Sequence, residues 1–156
     1  TTSNSAKSRE SLEDNIDDKL VGFIGADTVG GSIASSITET KIGEVIVPAN
    51  SVRNRLLIFA IVRFNNSSSS NIGTTFRIRT GTSATATSNT SRKSIPMSQA
   101  ADASSGQGNV TGILIATITG SDETLTGQIY IHVTGQNDTS NASATSICES
   151  IHVLGI

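Results

Sequence analysis

The chain has 156 residues, of which 15% are charged, and its formal net charge is −2 at pH 7. This length suits one domain, in which a globular chain removes about 70% of its unfolded surface from water. The charge balance lacks the basic excess that binding to nucleic-acid phosphates requires, so we expect no nucleic-acid partner.

Hydroxyl side chains dominate the polar residues, with 24 serines and 20 threonines. This balance favours an extracellular or virion surface over a cytosolic enzyme. The single cysteine, Cys148, excludes an intramolecular disulfide framework, so the fold must rest on core packing or on subunit contacts. No run of about 20 apolar residues is present, and we therefore expect no membrane insertion.

The first predicted element is an amphipathic helix near the N-terminus. In SRESLEDNIDDKLVGFI, residues 8–24, apolar residues recur at steps of four, four and three, which makes a narrow helical stripe. Acidic residues concentrate in the first turns, where the helix dipole favours them. So narrow a stripe either packs on its own domain or pairs with other subunits, because short helices are marginal unless their apolar face is covered. We predict an oligomerisation or attachment contact formed by Leu12, Ile16, Leu20 and Phe23.

The next segment, GADTVGGSIASSITET at residues 25–40, is rich in glycine and small polar residues and predicts an extended arm. We therefore divide the chain into an N-terminal helix and arm, residues 1–40, and a β domain, residues 41–156. From Lys41 onward, runs rich in β-branched residues are bounded by Gly, Asn, Ser and Pro, as in antiparallel strands. Six strands are predicted at 42–47, 55–64, 74–80, 110–119, 127–134 and 146–154, with one or two weaker strands within 83–98. Without intervening helices, this pattern indicates an all-β antiparallel sandwich or barrel.

Two of these strands have distinct faces. The run RLLIFAIVRF at 55–64 is apolar at both parities, which predicts a central strand covered on each side. In TTFRIRT at 74–80, apolar residues alternate with Thr and Arg, as in a half-buried strand with a cationic outer face. The tract GTSATATSNTSRKS that follows predicts an edge strand or a surface loop. The predicted core includes Leu57, Phe59, Ile61, Ile115, Ile129, Ile131, Val133, Ile151 and Val153.

Two segments near the C-terminus resemble each other, 131-IHVTG-135 and 151-IHVLG-155. If both are strands, their Ile and Val residues face the core, and His132 and His152 face outward or toward a neighbour. The polar loop between them is longer than tight hairpins use, so we predict that they lie in one sheet or in facing sheets.

Few residues could carry chemistry. Cys148 and His152 share strand parity, but residues four apart along a strand are separated by about 13 Å, which excludes a direct hydrogen bond. There is no CxxC, HxH or EF-hand loop; two histidines on adjacent strands could hold an ion, but satisfied surface histidines are favoured. The glycine-rich GQGNVTG at 106–112 precedes a strand instead of opening a helix and predicts a turn. We therefore predict that the protein is not an enzyme and has no catalytic residue, cofactor or metal site.

The segments IGEVIVPANSV at 42–52, the long apolar strand, FRIRTGTSATATSNT at 76–90 and the terminal ESIHVLGI resemble β-sandwich proteins of tailed-phage and related virus particles. These are fibre heads, spikes, decoration proteins and turret-like proteins, and the resemblance covers roughly residues 41–156. It implies a jelly-roll-like sandwich that displays loops and assembles as a symmetric oligomer, with the N-terminal segment attaching it to the particle. Such families carry no catalytic residues to transfer.

These observations predict a non-enzymatic structural protein of a virus particle, located in the virion. Its expected partners are copies of itself in a trimer or higher oligomer and other virion proteins, and a host surface receptor is left open. The alternatives are a secreted or cell-surface adhesin or filament subunit and a carbohydrate-binding module. The absence of Trp and an aromatic content of 3% disfavour the carbohydrate-binding module, since sugar sites usually present exposed aromatic platforms.

Overall fold

The computed structural model describes residues 20–24, 37–52, 54–99, 108–140 and 144–155. In these ranges it contains eight strands and one short 3-10 turn, Ala86–Ser88. The strands are β1 Leu20–Ile24, β2 Thr40–Val47, β3 Arg55–Asn66, β4 Ile72–Gly81, β5 Thr90–Gln99, β6 Gly108–Thr119, β7 Ile129–Asn137 and β8 Ala144–Gly155.

The strands form two antiparallel four-stranded sheets packed face to face. The first sheet has the order β1-β8-β3-β6 and the second has the order β2-β7-β4-β5. Apart from β4 and β5, each strand lies in the opposite sheet from the strand before it, which is the winding of an eight-stranded jelly roll. The predicted all-β antiparallel sandwich is confirmed.

The six strands predicted from the sequence are all present, and β5 is the weaker strand expected within 83–98. The structure extends most of them by one to three residues. The turn predicted at 106–112 is wrong for residues 108–112, which form the start of β6. The two similar C-terminal segments lie in β7 and β8 and therefore in facing sheets, as predicted.

The helix predicted through Ile24 is wrong for its last five residues. Leu20–Ile24 form β1, which pairs antiparallel with β8 and places Phe23 opposite His152. A short apolar run such as LVGFI suits a helix or a strand, and the edge of β8 supplies it with backbone hydrogen-bond partners that a lone helical turn lacks. The sandwich thus includes a strand N-terminal to the boundary predicted at Lys41. Residues 8–19 of the predicted helix lie outside the described residues.

The core lies between the two sheets, and β3 crosses its centre. Every second residue of β3 is buried, namely Leu56, Ile58, Ala60, Val62, Phe64 and Asn66. Five predicted core residues are confirmed as buried: Ile129, Ile131, Val133, Ile151 and Val153. The other four are wrong, because Leu57, Phe59 and Ile61 are half-buried on the outer side of the sheet and Ile115 is half exposed. In a strand that is apolar at every position, alternation does not fix which face turns inward.

The strand β4 has the alternation predicted for it. Phe76 and Ile78 are fully buried in the core, while Arg77 and Arg79 lie on the outer face of the second sheet. The hydroxyl-rich tract after β4 forms the connection with the 3-10 turn and then β5, which is the edge strand of the second sheet. The predicted edge strand is therefore confirmed.

Candidate interaction surface

The outer face of the first sheet carries an apolar patch. On β3 it consists of Leu57, Phe59 and Ile61, and on β6 of Ile113 and Ile115; we call these five residues the outer patch. Antiparallel pairing places Phe59 opposite Ile115 and Ile61 opposite Ile113, so their side chains are direct cross-strand neighbours. The side chains of Ile113 and Ile115 are 58% and 50% exposed.

The outer patch continues onto β8 and ends in a polar rim. Leu154 lies opposite Leu57 and is half-buried. Beyond Ile61, Arg63 of β3 forms an ion pair with Glu149 of β8, and its Nη1 donates to Oδ1 of Asn109 at 3.3 Å. At this end of β3 the rim therefore carries one cation paired with one anion, and at the other end the exposed Arg55 precedes Leu57 on the same face.

The whole outer face is large enough for a subunit interface. Its strands have 5, 12, 12 and 12 residues, and with a rise of about 3.3 Å per residue and a spacing of about 4.8 Å they project an area of roughly 650 Å². Standard protein interfaces bury about 600–1,000 Å² on each partner. Contiguous apolar surface of this kind, rimmed by polar groups, marks interaction sites on soluble proteins.

The outer face of the second sheet is different, because its charged side chains bind one another. Two of the three guanidinium nitrogens of Arg79, Nε and Nη2, donate to the Glu39 carboxylate, the second at 2.8 Å, and Thr134 donates to it as well. Arg77 lies 3.6 Å from the same carboxylate and donates to Gln136 at 3.0 Å. Burial raises the pKa of Glu39, but the bonds from Arg79 and Thr134 and the two arginine charges outweigh it, so the pKa falls below its ordinary value. On the predicted cationic face, Arg79 is thus paired with a carboxylate and Arg77 shares the same anion.

His132 lies on this second face, on the side of β7 turned away from the core, as predicted, but its side chain is fully buried. Its Nε2 is 2.7 Å from Oε2 of Glu44, and its Nδ1 is 3.2 Å from Nδ2 of Asn89 in the β4–β5 connection. Asn89 is itself fixed, because Nδ2 donates to the carbonyl of Ser83 and Oδ1 accepts from the amide of Ser83. Burial lowers the pKa of His132, and the Glu44 carboxylate opposes this only in part. The imidazole thus serves as a neutral link between β2 and the connection.

Cys148 and His152 do not meet. The pairing of β8 with β3 shifts register between Ile61 and Val62, so the strand parity that the two residues share in the sequence does not place them on one face. Cys148 is buried between the sheets, where burial raises the pKa of its thiol to about 12. His152 lies opposite Phe59, beside the outer patch.

The described ranges contain no group of three or more His, Cys, Asp or Glu side chains arranged to hold a metal ion. Nor does that part of the chain contain a helix long and apolar enough to span a bilayer.

The oligomerisation or attachment contact predicted for the N-terminal stripe stays a prediction, since the structure of a single chain places only two of its four residues. Leu20 and Phe23 lie in β1, at the edge of the same sheet that carries the outer patch, while Leu12 and Ile16 are outside the described residues. The outer patch is not predicted from the sequence, where four of its five residues are expected in the core. One signal for it was present in β6, where Ile113, Leu114 and Ile115 are consecutive large apolar residues, so that both faces of the strand carry one.

Comparison with known proteins gives the fold alone. No protein-family model matches the chain, and no curated protein sequence matches it either. Among solved structures it is similar to Eiger TNF from S. frugiperda, with a TM-score of 0.52 and 8% identity over 88% of this chain and 93% of that chain. It also aligns with a chain of the T13 particle of infectious bursal disease virus (TM-score 0.49, 14% identity, 86% of this chain and 30% of that chain). A VP2 subviral particle of the same virus gives a TM-score of 0.47 and 13% identity over 86% of this chain and 32% of that chain. The likeness to Eiger TNF agrees with the two-sheet sandwich.

Proposed function

We propose that this chain is a non-enzymatic structural subunit of a virus particle, a capsid decoration, spike or fibre component that assembles as a symmetric oligomer. The observation that carries the proposal is the outer patch, whose central isoleucines are at least half exposed in the single chain. Surface of this kind is stabilised when a second protein covers it. Burying Ile113 and Ile115 completely contributes up to about 1.5–3 kcal/mol each, and less where they are already partly covered.

The polar groups of the sandwich support a structural role. Every buried side-chain nitrogen and oxygen in the described ranges has a hydrogen-bond partner within the chain. The only thiol is buried and has a pKa of about 12, so almost none of it is the reactive thiolate at neutral pH. The buried histidine has both ring nitrogens engaged. None of these groups is poised to act on a substrate.

The virion setting rests on the hydroxyl-rich composition and on the resemblance of residues 41–156 to virus-particle sandwiches. In this proposal the outer patch makes the contact between copies. The N-terminal segment with Leu12, Ile16, Leu20 and Phe23 makes the contact with other virion proteins. A cell-surface adhesin or filament subunit is the alternative that experiment must separate.

Self-assembly is tested by sedimentation of the full chain over a range of concentrations. The double variant Ile113→Ser/Ile115→Ser should shift the chain toward monomer. The control is Ile46→Ser, because Ile46 is 46% exposed but lies on the second sheet. Equal oligomerisation of the double variant, the control and the natural chain would remove the outer patch from the proposal. A natural chain that stays monomeric at every concentration would overturn the assembly role.

The virion setting needs a separate measurement. Purified particles from cells that carry the gene should contain the chain by mass spectrometry, in a stoichiometry fixed relative to the major capsid protein. Its presence on the surface of uninfected cells, with none in purified particles, would favour the adhesin or filament alternative.

A further inference from the structure

The strand β6 is an edge strand without the features that usually protect such edges. In the described part of the first sheet it pairs with β3 on one side only. Its 12 residues, GNVTGILIATIT, contain no charged residue and no proline. Natural edge strands are commonly guarded by charges, prolines, bulges or short length, because an open edge is a template for another strand.

The edge strand of the second sheet shows the contrast. β5 contains Arg92, Lys93 and Pro96, and its pairing with β4 has a register shift. It thus carries three of the usual protections. The difference between the two edges indicates that β6 is an edge adapted to accept a strand.

The sequence of β6 is nearly symmetric about Leu114. Ile113 and Ile115 flank the centre, Gly112 and Ala116 are the next residues outward, and Thr111 and Thr117 follow. Val110 and Ile118 then match as β-branched residues, Asn109 and Thr119 share only their polarity, and Gly108 and Gly120 close the series. Two copies of such a strand, paired antiparallel with Leu114 at the centre, place like residue opposite like residue.

We infer that β6 pairs antiparallel with β6 of a second copy, about a two-fold axis at Leu114. The inference rests on the proposed self-assembly and names its contact. In this register Ile113 lies opposite Ile115 of the partner, and Thr111 lies opposite Thr117 of the partner. Cross-strand pairs of β-branched residues and of threonines stabilise antiparallel sheets. The absence of charge on β6 means that self-pairing opposes no like charges.

This pairing brings the outer patches of two copies side by side. The two first sheets join into one continuous sheet of eight strands, and the two patches meet across the axis as one apolar band. Such a contact is isologous, so it occurs in dimers and in assemblies with dihedral symmetry, and the number of copies is even.

Disulfide cross-linking of the full-length chain tests the register. Residues directly opposite in an antiparallel pair have Cα atoms about 4.5–5.5 Å apart, which a disulfide can bridge. In the inferred register, residue 113 of one copy is about 8 Å from residue 113 of the other, beyond the limit of about 7 Å. A mixture of Ile113→Cys and Ile115→Cys chains, one of them tagged, should therefore oxidise mainly to the mixed dimer. The natural Cys148 does not compete, because it is buried.

Ile46→Cys mixed with Ile115→Cys is the control and should give no preferred cross-link. A second readout uses an edge charge. Thr117→Lys should raise the dissociation constant at least about tenfold, whereas Ser94→Lys on β5, which is also exposed in the single chain, should leave it unchanged. Circular dichroism and the unfolding midpoint show that the variants are folded.

The outcomes separate this inference from the proposed function. If the oligomer forms but residues 113 and 115 do not cross-link preferentially, or if Thr117→Lys leaves the oligomer intact, β6 pairing is overturned. Self-assembly by another contact is then still supported. A natural chain that is monomeric throughout overturns the proposed assembly and the pairing with it.

Discussion

The imidazole of His132 and the carboxylate of Glu44 face each other across β7 and β2, with Nε2 2.7 Å from Oε2. Since the other ring nitrogen accepts from the fixed amide of Asn89, the hydrogen bonds require a neutral ring that carries its proton on Nε2. A second proton on the ring would make Nδ1 a hydrogen-bond donor that faces another donor, Nδ2 of Asn89. This pair therefore makes the stability of the second sheet sensitive to acid.

The free energy of unfolding should fall as the pH drops below about 6.5, the ordinary pKa of histidine. Burial lowers the pKa of His132 in the folded state, so the unfolded chain takes up the proton first and unfolding is favoured. A second decline should follow below the ordinary value of 4.5, because the pKa values of Glu39 and Glu44 are lowered in the folded state. Chemical denaturation from pH 8 to pH 3 measures both stages. A free energy of unfolding that stays constant from pH 8 to pH 5 would contradict the role of His132.

Replacing His132 by Gln should remove the first stage of this decline and keep the second. At pH 8 the variant should also lose about 1–3 kcal/mol of stability, because Asn89 or Glu44 is left without a well-placed partner in a buried site. His152→Gln is the matched control, since it leaves the buried imidazole in place and should retain both stages. If the His152→Gln control lost the first stage instead, the decline in stability would have to be assigned to His152 in the first sheet.

The two phenylalanines of β3 test which face of this strand turns toward the core. Phe64 is fully buried between the sheets, and its replacement by Ala should lower the free energy of unfolding by about 3–5 kcal/mol. Phe59 is half-buried in the outer patch, so Phe59→Ala should cost the monomer less and weaken self-association instead. Denaturation of dilute protein and sedimentation of concentrated protein measure the two effects. Equal costs in the monomer would show that the outer patch is covered within one chain.

Much of the fold follows from the sequence, and the exceptions have physical causes. In β4, the alternation of apolar and polar residues predicts both that the segment is a strand and which face turns inward, because Phe76 and Ile78 are apolar while their neighbours are polar. In β3 the same rule gave the strand but the wrong inward face, since both parities are apolar and only packing against the second sheet decides. Leu20–Ile24 were assigned to a helix because five residues cannot distinguish the two periods, and their strand partner, β8, is more than a hundred residues away. The outer patch could not be predicted for the same reason as the inward face of β3. In the sequence, an apolar residue on the outer face of a sheet cannot be distinguished from one that faces the core.

Close approach of the two sheets at Gly43 gives a last prediction. A Cβ atom at this position would lie 2.9 Å from Sγ of Cys148 and 2.9 Å from Cδ1 of Ile151, both in β8 of the facing sheet. Since these side chains are fully buried, they have little room to move, and Gly43→Ala should lower the free energy of unfolding by about 1–3 kcal/mol. Gly120→Ala, where nothing lies within 4 Å of the added atom, is the control and should be nearly neutral. Adding Cys148→Ala to Gly43→Ala should recover part of the loss, because it removes one of the two close contacts. If Gly43→Ala were as stable as the natural chain, the sheets would be farther apart at this point than the structure places them.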